Sequence, residues 1–340
     1  MDADHIGMNT VDEFLDYSDF FTIDVAHFIG QSSDDISKKQ FIKRHEKYLG
    51  ELKIPGIDEI FHIDEDFLAA TADKYLKAIT EVEKIYIHIL VRKGKGNFIP
   101  EVSMDETDQA QTPVDLFFIL AELKEQGVEI QTIAPKFSGL FAKGIDYIGD
   151  LKLFEKEFEQ DVAVVKYAIK ELGLPESLKL SVHSGSDKFS IYPAMGRAIQ
   201  KFNAGIHVKT AGTTWLEEVI GLAKAGGKGL EIAKDIYKRS LDRYDELAGP
   251  YATVLNIDKK GLPSVNEVKT WDSAKFADAL VHDPKNPGYN PNFRQLIHVG
   301  YKIAAEMGKE FITALDENRE IIEEQVRYNI LERHLKRLFM

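Results

Sequence analysis

Three imidazoles and a group of carboxylates recur at matching places along this chain. Asp24 and His27 close the run FFTIDVAHF (20–28), and Asp105 and Glu106 close FIPEVSMDE (98–106). His183 closes LKLSVHS (178–184), with Asp187 and Lys188 just beyond it, and His207 and Lys209 lie in GIHVKTA (205–211). Nitrogen and oxygen donors without any thiolate suit Mn, Co, Ni, Fe or Zn, so His27, His183 and His207 are candidate ligands of a divalent metal ion. Asp24, Asp105 and Glu106 are candidates for general acid–base work beside it, and Glu106 is a possible fourth ligand.

Two further stretches suit an acidic small molecule. In HSGSDKF, Ser184, Gly185, Ser186 and Lys188 supply hydroxyls, a flexible turn and an ammonium within a few residues. In VKTAGTTWLEEV, Lys209 precedes a glycine turn, and Thr214 with Glu217 has the spacing of a capping box at a helix start. Free N–H groups at such a helix end favour an anion. The segment APKFSGLFAKGIDYIGD (134–150), with Lys143 and Asp146, is long enough to cover a substrate. Neither turn has the spacing of a phosphate-binding P-loop, and AGGKG (225–229) does not supply it.

Position alone makes these residues a set only if the elements carrying them are parallel. The β-prone runs at 20–28, 98–106, 128–135, 178–184, 205–211 and 251–257 alternate with amphipathic stretches at 113–126, 150–172, 214–224 and 228–247. The segment 66–92 reads as a helix and RKGKGN (92–97) as a loop. Such alternation indicates βα units on a parallel sheet, and in a barrel all strand C-termini share one face. The expected fold is therefore α/β, a (β/α)8 TIM-barrel-like domain over residues 1–291, its two missing strands near 57–63 and 268–298. A helical extension over 292–340 would pack on it, and its last helix, NILERHLKRLF, suits a cap or a subunit interface in a homo-oligomer.

The totals narrow the partners. The 340 residues include 43 Lys plus Arg against 56 Asp plus Glu, a net charge of −13, which disfavours nucleic acid. Cysteine is absent, so no disulfide framework or thiolate nucleophile is expected. The start, MDADHIGMNTVDEF, lacks the pattern of a signal peptide, and no apolar run reaches the ~20 residues of a membrane span. A cytoplasmic protein acting on a small molecule, away from membranes, is the expectation.

The motifs EVSMDET, APKFSGLFAKGIDYIGD, LSVHSGSDKFSIYP, HVKTAGTTWLEEV and NILERHLKRLF resemble the tagaturonate epimerase family, from about Phe98 to Ala225 and more loosely through RQLIHVGYKIAAEMG. The resemblance implies a metal-dependent barrel enzyme interconverting the hexuronates D-tagaturonate and D-fructuronate. These sugars differ at the carbon β to the ketone, whose C–H is barely acidic, so retro-aldol cleavage and re-formation of the neighbouring C–C bond is the implied route. On that basis His27, His183 and His207 would hold the metal at the ketone oxygen, with or without Glu106 as a further ligand. Asp24 or Asp105 would be the base, with Glu106 as acid unless it is a ligand. Lys188, Lys209, Ser184 and Asp187 would bind the uronate, and Lys143 and Asp146 would orient its hydroxyls. Another metal-dependent sugar-acid isomerase or aldolase, or a non-catalytic sugar-acid-binding protein, are the competing expectations.

Overall fold

The computed structural model describes residues 1–105, 107 and 110–340. They form two units: the first contains Met1–Ser138, Asp150–Val182 and Arg197–His207, and the second Gly139–Gly149, His183–Gly196 and Val208–Met340. Segments from the middle of the chain, Gly139–Gly149 and His183–Gly196, belong to the second unit.

The first unit is built on a six-stranded sheet of β1 (Asp2–Ile6), β2 (Phe20–Asp24), β5 (Ile99–Ser103), β6 (Thr132–Ala134), β7 (Lys179–Val182) and β8 (Ile206–Val208), in that spatial order. Pairing is parallel from β1 through β7. A separate antiparallel pair is formed by β3 (Gly50–Lys53) and β4 (Ile60–Ile63). Alternation along each strand divides the residues cleanly. Phe21, Ile23, Val102, Ile133, Leu180 and Val182 are buried apolar residues of one face, while Thr22, Glu101, Thr132, Ser181 and His207 are joined by hydrogen bonds on the other.

Those bonds also reveal the sheet's curvature. In a flat sheet β5 and β8, three places apart, would be separated by about 14 Å. Instead, Glu101 on β5 and His207 on β8 approach to 3.0 Å, and the Phe20 and His207 rings lie 5.1 Å apart. The sheet is a curled half-barrel.

It is not the closed eight-stranded barrel expected from the sequence: β1 and β8 remain its edges. Region 57–63 does yield a strand, β4, but it pairs with β3 outside the main sheet. Region 251–257 forms no strand among the described residues; Gly249–Val254 is a 3-10 turn entered through Pro250, whose fixed φ suits a helical start. Region 268–298 carries the helices Ser273–Leu280 and Pro291–Val299, and no strand among the described residues.

Helices α1 (Asp35–His45), α2 (Glu65–Lys93), α3 (Pro113–Glu125) and α4 (Leu151–Leu172) complete this unit, and α5 (Tyr192–Phe202) follows β7. Their starts are written locally. Asp64 caps α2, Asp150 caps α4, and Thr112 makes a reciprocal capping box with Asp115 ahead of α3, where Pro113 fills the first turn. Helix α3 is buried along Val114–Leu123, which places the carboxylate of Glu122 in the interior. Arg44, His45 and Gln126 all hydrogen-bond to it. Burial alone would raise its pKa, but these partners hold it below the usual value.

The second unit is helical: α6 (Ala211–Ala225), α7 (Gly227–Asp242), α8 (Tyr244–Ala248), α9 (Val265–Lys269), α10 (Ser273–Leu280), α11 (Pro291–Val299), α12 (Tyr301–Met307), α13 (Lys309–Glu317) and α14 (Arg319–Arg327). A π-helical stretch, Tyr328–Leu335, and a last turn, α15 (Lys336–Phe339), end the chain. Trp215, Leu216, Ile220, Ile236, Phe276, Phe293 and Leu296 are among its core residues. Among the described residues, no helix is long and apolar enough to cross a membrane.

Candidate functional site

The C-terminal ends of β1, β2 and β5 carry one group of polar side chains in the first unit. His5 Nδ1 lies 3.0 Å from Asp24 Oδ2, while Asp24 Oδ1 accepts the Ala26 N–H at 3.0 Å. Asp105 follows β5, and its Oδ1 accepts from Ser103 Oγ at 2.5 Å. A potential ligand atom of His5 and one of Asp105 are within 4.8 Å of each other.

A backbone irregularity creates this arrangement. Ala3 pairs with Phe21 and Ile6 with Ile23, so β1 spends three steps where β2 spends two. The extra residue is a bulge, and His5 absorbs it with a left-handed φ of 52°. A non-glycine residue in that conformation is uncommon and is held by its surroundings. Here the His5–Asp24 contact is part of what holds it.

An ionised Asp24 favours a proton on His5 Nδ1, so Nε2, 3.8 Å from Asp4 Oδ1, is the ring atom that a cation would take. This is the carboxylate–imidazole pairing that orients metal-bound histidines. Together with Asp105 it provides nitrogen and oxygen donors, and this chemistry fits a divalent transition metal.

A second group lies within the curled sheet. Fully buried Glu101 accepts from Thr22 Oγ1 at 3.0 Å and from Thr132 Oγ1 at 2.8 Å. His207 Nδ1 meets Glu101 Oε2 at 3.0 Å and Ser181 Oγ at 3.1 Å. The level of Glu101 is four residues short of Asp105 along the chain. His207 therefore sits deeper in the sheet than the His5 group.

His27 is elsewhere again: it is exposed on a 3-10 turn, Ala26–Phe28, with its ring 3.9 Å from that of Phe28. The structure does not bring His27 and His207 to a common set of partners. His183 is buried and follows the last residue of β7. Glu106 lies outside the described residues.

The proposed substrate-binding residues belong to the second unit. Lys188 is fully buried, and its ammonium donates to the carbonyls of Ala142 at 2.8 Å and Ile145 at 2.5 Å, bracing that loop. Burial lowers its pKa to about 7, against the opposing pull of Asp187 and Asp146. Asp187 is buried against Arg294 and also accepts from Thr213 at 3.2 Å. Burial would raise its pKa, but Arg294, His282 and His334 hold it well below the usual carboxylate range.

Asp146 Oδ1 accepts from the Ser190 hydroxyl and N–H and from the Tyr147 N–H. Lys143 places its ammonium 5.0 Å from the Tyr251 ring centroid, a cation–π distance. Ser184 adopts a left-handed φ of 46°, and Lys209 is half-buried. The chemistry of Lys188, Asp187 and Asp146 is thus spent substantially on internal contacts.

The turn before α6 also differs from its sequence reading. The helix begins at Ala211, and Thr214 Oγ1 donates back to the Thr210 carbonyl instead of capping. Glu217 is buried, accepts from Asn329 Nδ2 at 2.9 Å, and has its pKa pushed up to about 7 by burial. Asn329 comes from the π-helical stretch, as does His334, whose Nε2 accepts the Asp187 N–H at 3.1 Å.

Sequence reasoning missed His5, Glu101 and Arg294. The alternation that puts Glu101 on the same face as Thr22 and Ser103 was a usable signal. For His5, an edge strand interrupted by a bulge left little pattern to follow.

Comparison with known proteins adds an independent line. A family model described as UxaE, tagaturonate epimerase, matches residues 1–338. The Thermotoga maritima protein named tagaturonate/fructuronate epimerase is 31% identical over 354 residues, covering 99% of this chain and 66% of its own length. The native crystal structure of fructuronate-tagaturonate epimerase UxaE from Cohnella laeviribosi aligns with a TM-score of 0.75 and 26% identity, covering 99% of this chain and 67% of that one. Its complex with one glycerol gives a TM-score of 0.77 at 26% identity and the same coverage. The chain spans about two-thirds of the length of the relatives it matches.

Proposed function

Because the chain belongs to the tagaturonate epimerase family, we propose that it interconverts D-tagaturonate and D-fructuronate. The observation that carries this reading is the family match over residues 1–338. Supporting it is the His5–Asp24–Asp105 group at one end of a parallel sheet, where an imidazole and two carboxylates meet.

We assign His5 and Asp105 as ligands of a divalent cation. A cation bound there would supply Lewis-acid charge at the substrate's ketone oxygen. Asp24 orients His5 and, with lone pairs remaining on its carboxylate, is our assignment for the base that takes the hydroxyl proton of the β carbon.

Loss of that proton makes the hydroxyl carbon an aldehyde as its bond to the α carbon breaks. The electron pair moves to the ketone side, giving an enediolate. Rotation of the aldehyde and re-formation of the same bond, with return of the proton, invert the β carbon without removing its hydrogen.

Incubation with D-tagaturonate, followed by NMR, tests the reading. D-fructuronate as the product is expected. Accumulating three-carbon fragments would instead indicate an aldolase, and saturable binding without turnover would indicate a sugar-acid-binding protein; either would overturn the proposal.

A further inference from the structure

The buried Glu101–His207 pair is not used by the chemistry above, although it lies on the polar face of the same sheet. Glu101 is fully buried on β5 and accepts hydrogen bonds from the hydroxyls of Thr22 and Thr132, one on each carboxylate oxygen. Those contacts stabilise the ionised form. His207 Nδ1 lies 3.0 Å from Glu101 Oε2. A carboxylate oxygen and an unprotonated ring nitrogen would repel each other at that distance, whereas an Nδ1–H donor makes a charge-assisted bond.

Ser181 Oγ, 3.1 Å from the same nitrogen, can share that proton as an acceptor. The Phe20 ring, 5.1 Å from the imidazole centroid, limits its rotation. The side chain is 28% exposed while Glu101 is closed off, so its accessible part lies away from the Nδ1 contact.

We propose that Glu101 is a positioning residue that fixes His207 as its Nδ1–H tautomer, presenting the Nε2 lone pair to a hydroxyl of the sugar acid. This substrate role rests on the epimerase reading; the tautomer does not. Glu101 acts through the imidazole, and Thr22 and Thr132 hold the carboxylate in place. The outcome is a directional acceptor for a hydroxyl, a contact that a freely rotating or oppositely protonated imidazole would lose.

The test combines histidine nitrogen NMR of the full chain with kinetics of Glu101→Gln and Glu101→Asp. In the unsubstituted protein, His207 is expected to show a protonated Nδ1 and an unprotonated Nε2, and D-tagaturonate is expected to perturb Nε2. E101Q should change the tautomer ratio and reduce kcat/KM by about 10-fold, the scale of one lost hydrogen bond to the substrate. E101D should restore the native tautomer ratio and part of the lost turnover. An Nε2–H tautomer in the unsubstituted protein, or an unchanged ratio in E101Q, would overturn the positioning role. Native tautomer behaviour with no response of Nε2 to the sugar would overturn the substrate contact. Absence of epimerisation with the native tautomer intact would overturn the functional reading separately.

Discussion

His5 and Asp24 meet at 3.0 Å because β1 carries one more residue than β2 between their paired positions. The bulge turns His5 out of strand alternation and towards the end of the neighbouring strand. One backbone irregularity thus joins an edge strand to the carboxylates Asp24 and Asp105 at the ends of β2 and β5.

Cation binding should depend on this junction. Elemental analysis after equilibration with Mn, Co, Ni, Fe or Zn is expected to show reduced metal in His5→Ala and Asp105→Asn. Asp24→Asn should weaken metal affinity by about 10–100-fold, the usual effect of removing a carboxylate that orients a ligating histidine. His27→Ala should retain metal, since that ring is exposed against Phe28. Unchanged metal in both His5→Ala and Asp105→Asn would refute the ligand assignment.

The buried carboxylate of Glu122 gives a stability test remote from catalysis. Glu122→Ala leaves Arg44 and His45 without their shared anion. Breaking a buried charge cluster from one side typically costs about 3–5 kcal/mol. Urea unfolding should show a loss on that scale; a change below about 1 kcal/mol would show that the cluster contributes little.

Glu217 should impose a recognisable pH dependence. Burial raises its folded-state pKa to about 7, above the ordinary value of 4.5. The folded protein therefore keeps a proton that the unfolded chain releases. This contribution is present below about pH 4.5, declines as pH rises through the window, and is lost above about 7. The span corresponds to about 3 kcal/mol. Unfolding curves of Glu217→Gln should lack that decline relative to the unsubstituted protein, whereas parallel curves across pH 4–8 would contradict the assignment.

Gly212 tests the packing at the start of α6. A Cβ there would collide with His298 Nε2, so the ring or the helix must shift. Gly212→Ala is expected to destabilise the protein by about 1–3 kcal/mol, the usual range for overpacking. Thermal unfolding measures it; an unaltered midpoint would mean that His298 moves aside without cost.

Much of the first unit was legible because its elements announce themselves. Thr112-Pro113 and Asp150 mark helix starts, and the apolar period of α4 runs from its cap to Gly173, whose left-handed φ of 62° ends it. Strand β1 was not legible, because only Ala3 and Ile6 mark its buried side and the bulge breaks their alternation. Nor could the run around Val254 reveal that Pro250 would start a helical turn there.

For the site, residue type was a better guide than partner. Lys188 and Asp187 carry charges that suit a sugar acid, yet their folded partners are Ala142, Ile145 and Arg294, all distant in sequence. Composition identifies an available ammonium or carboxylate. Long-range packing decides whether it faces the protein's own backbone or a ligand.

The most direct measurement is epimerisation of D-tagaturonate in D2O, with deuterium located by NMR. The account requires D-fructuronate whose inverted carbon retains its original hydrogen, since only the adjacent C–C bond is broken and remade. Deuterium entering at that carbon, or failure of the metal-loaded protein to form D-fructuronate, would contradict it.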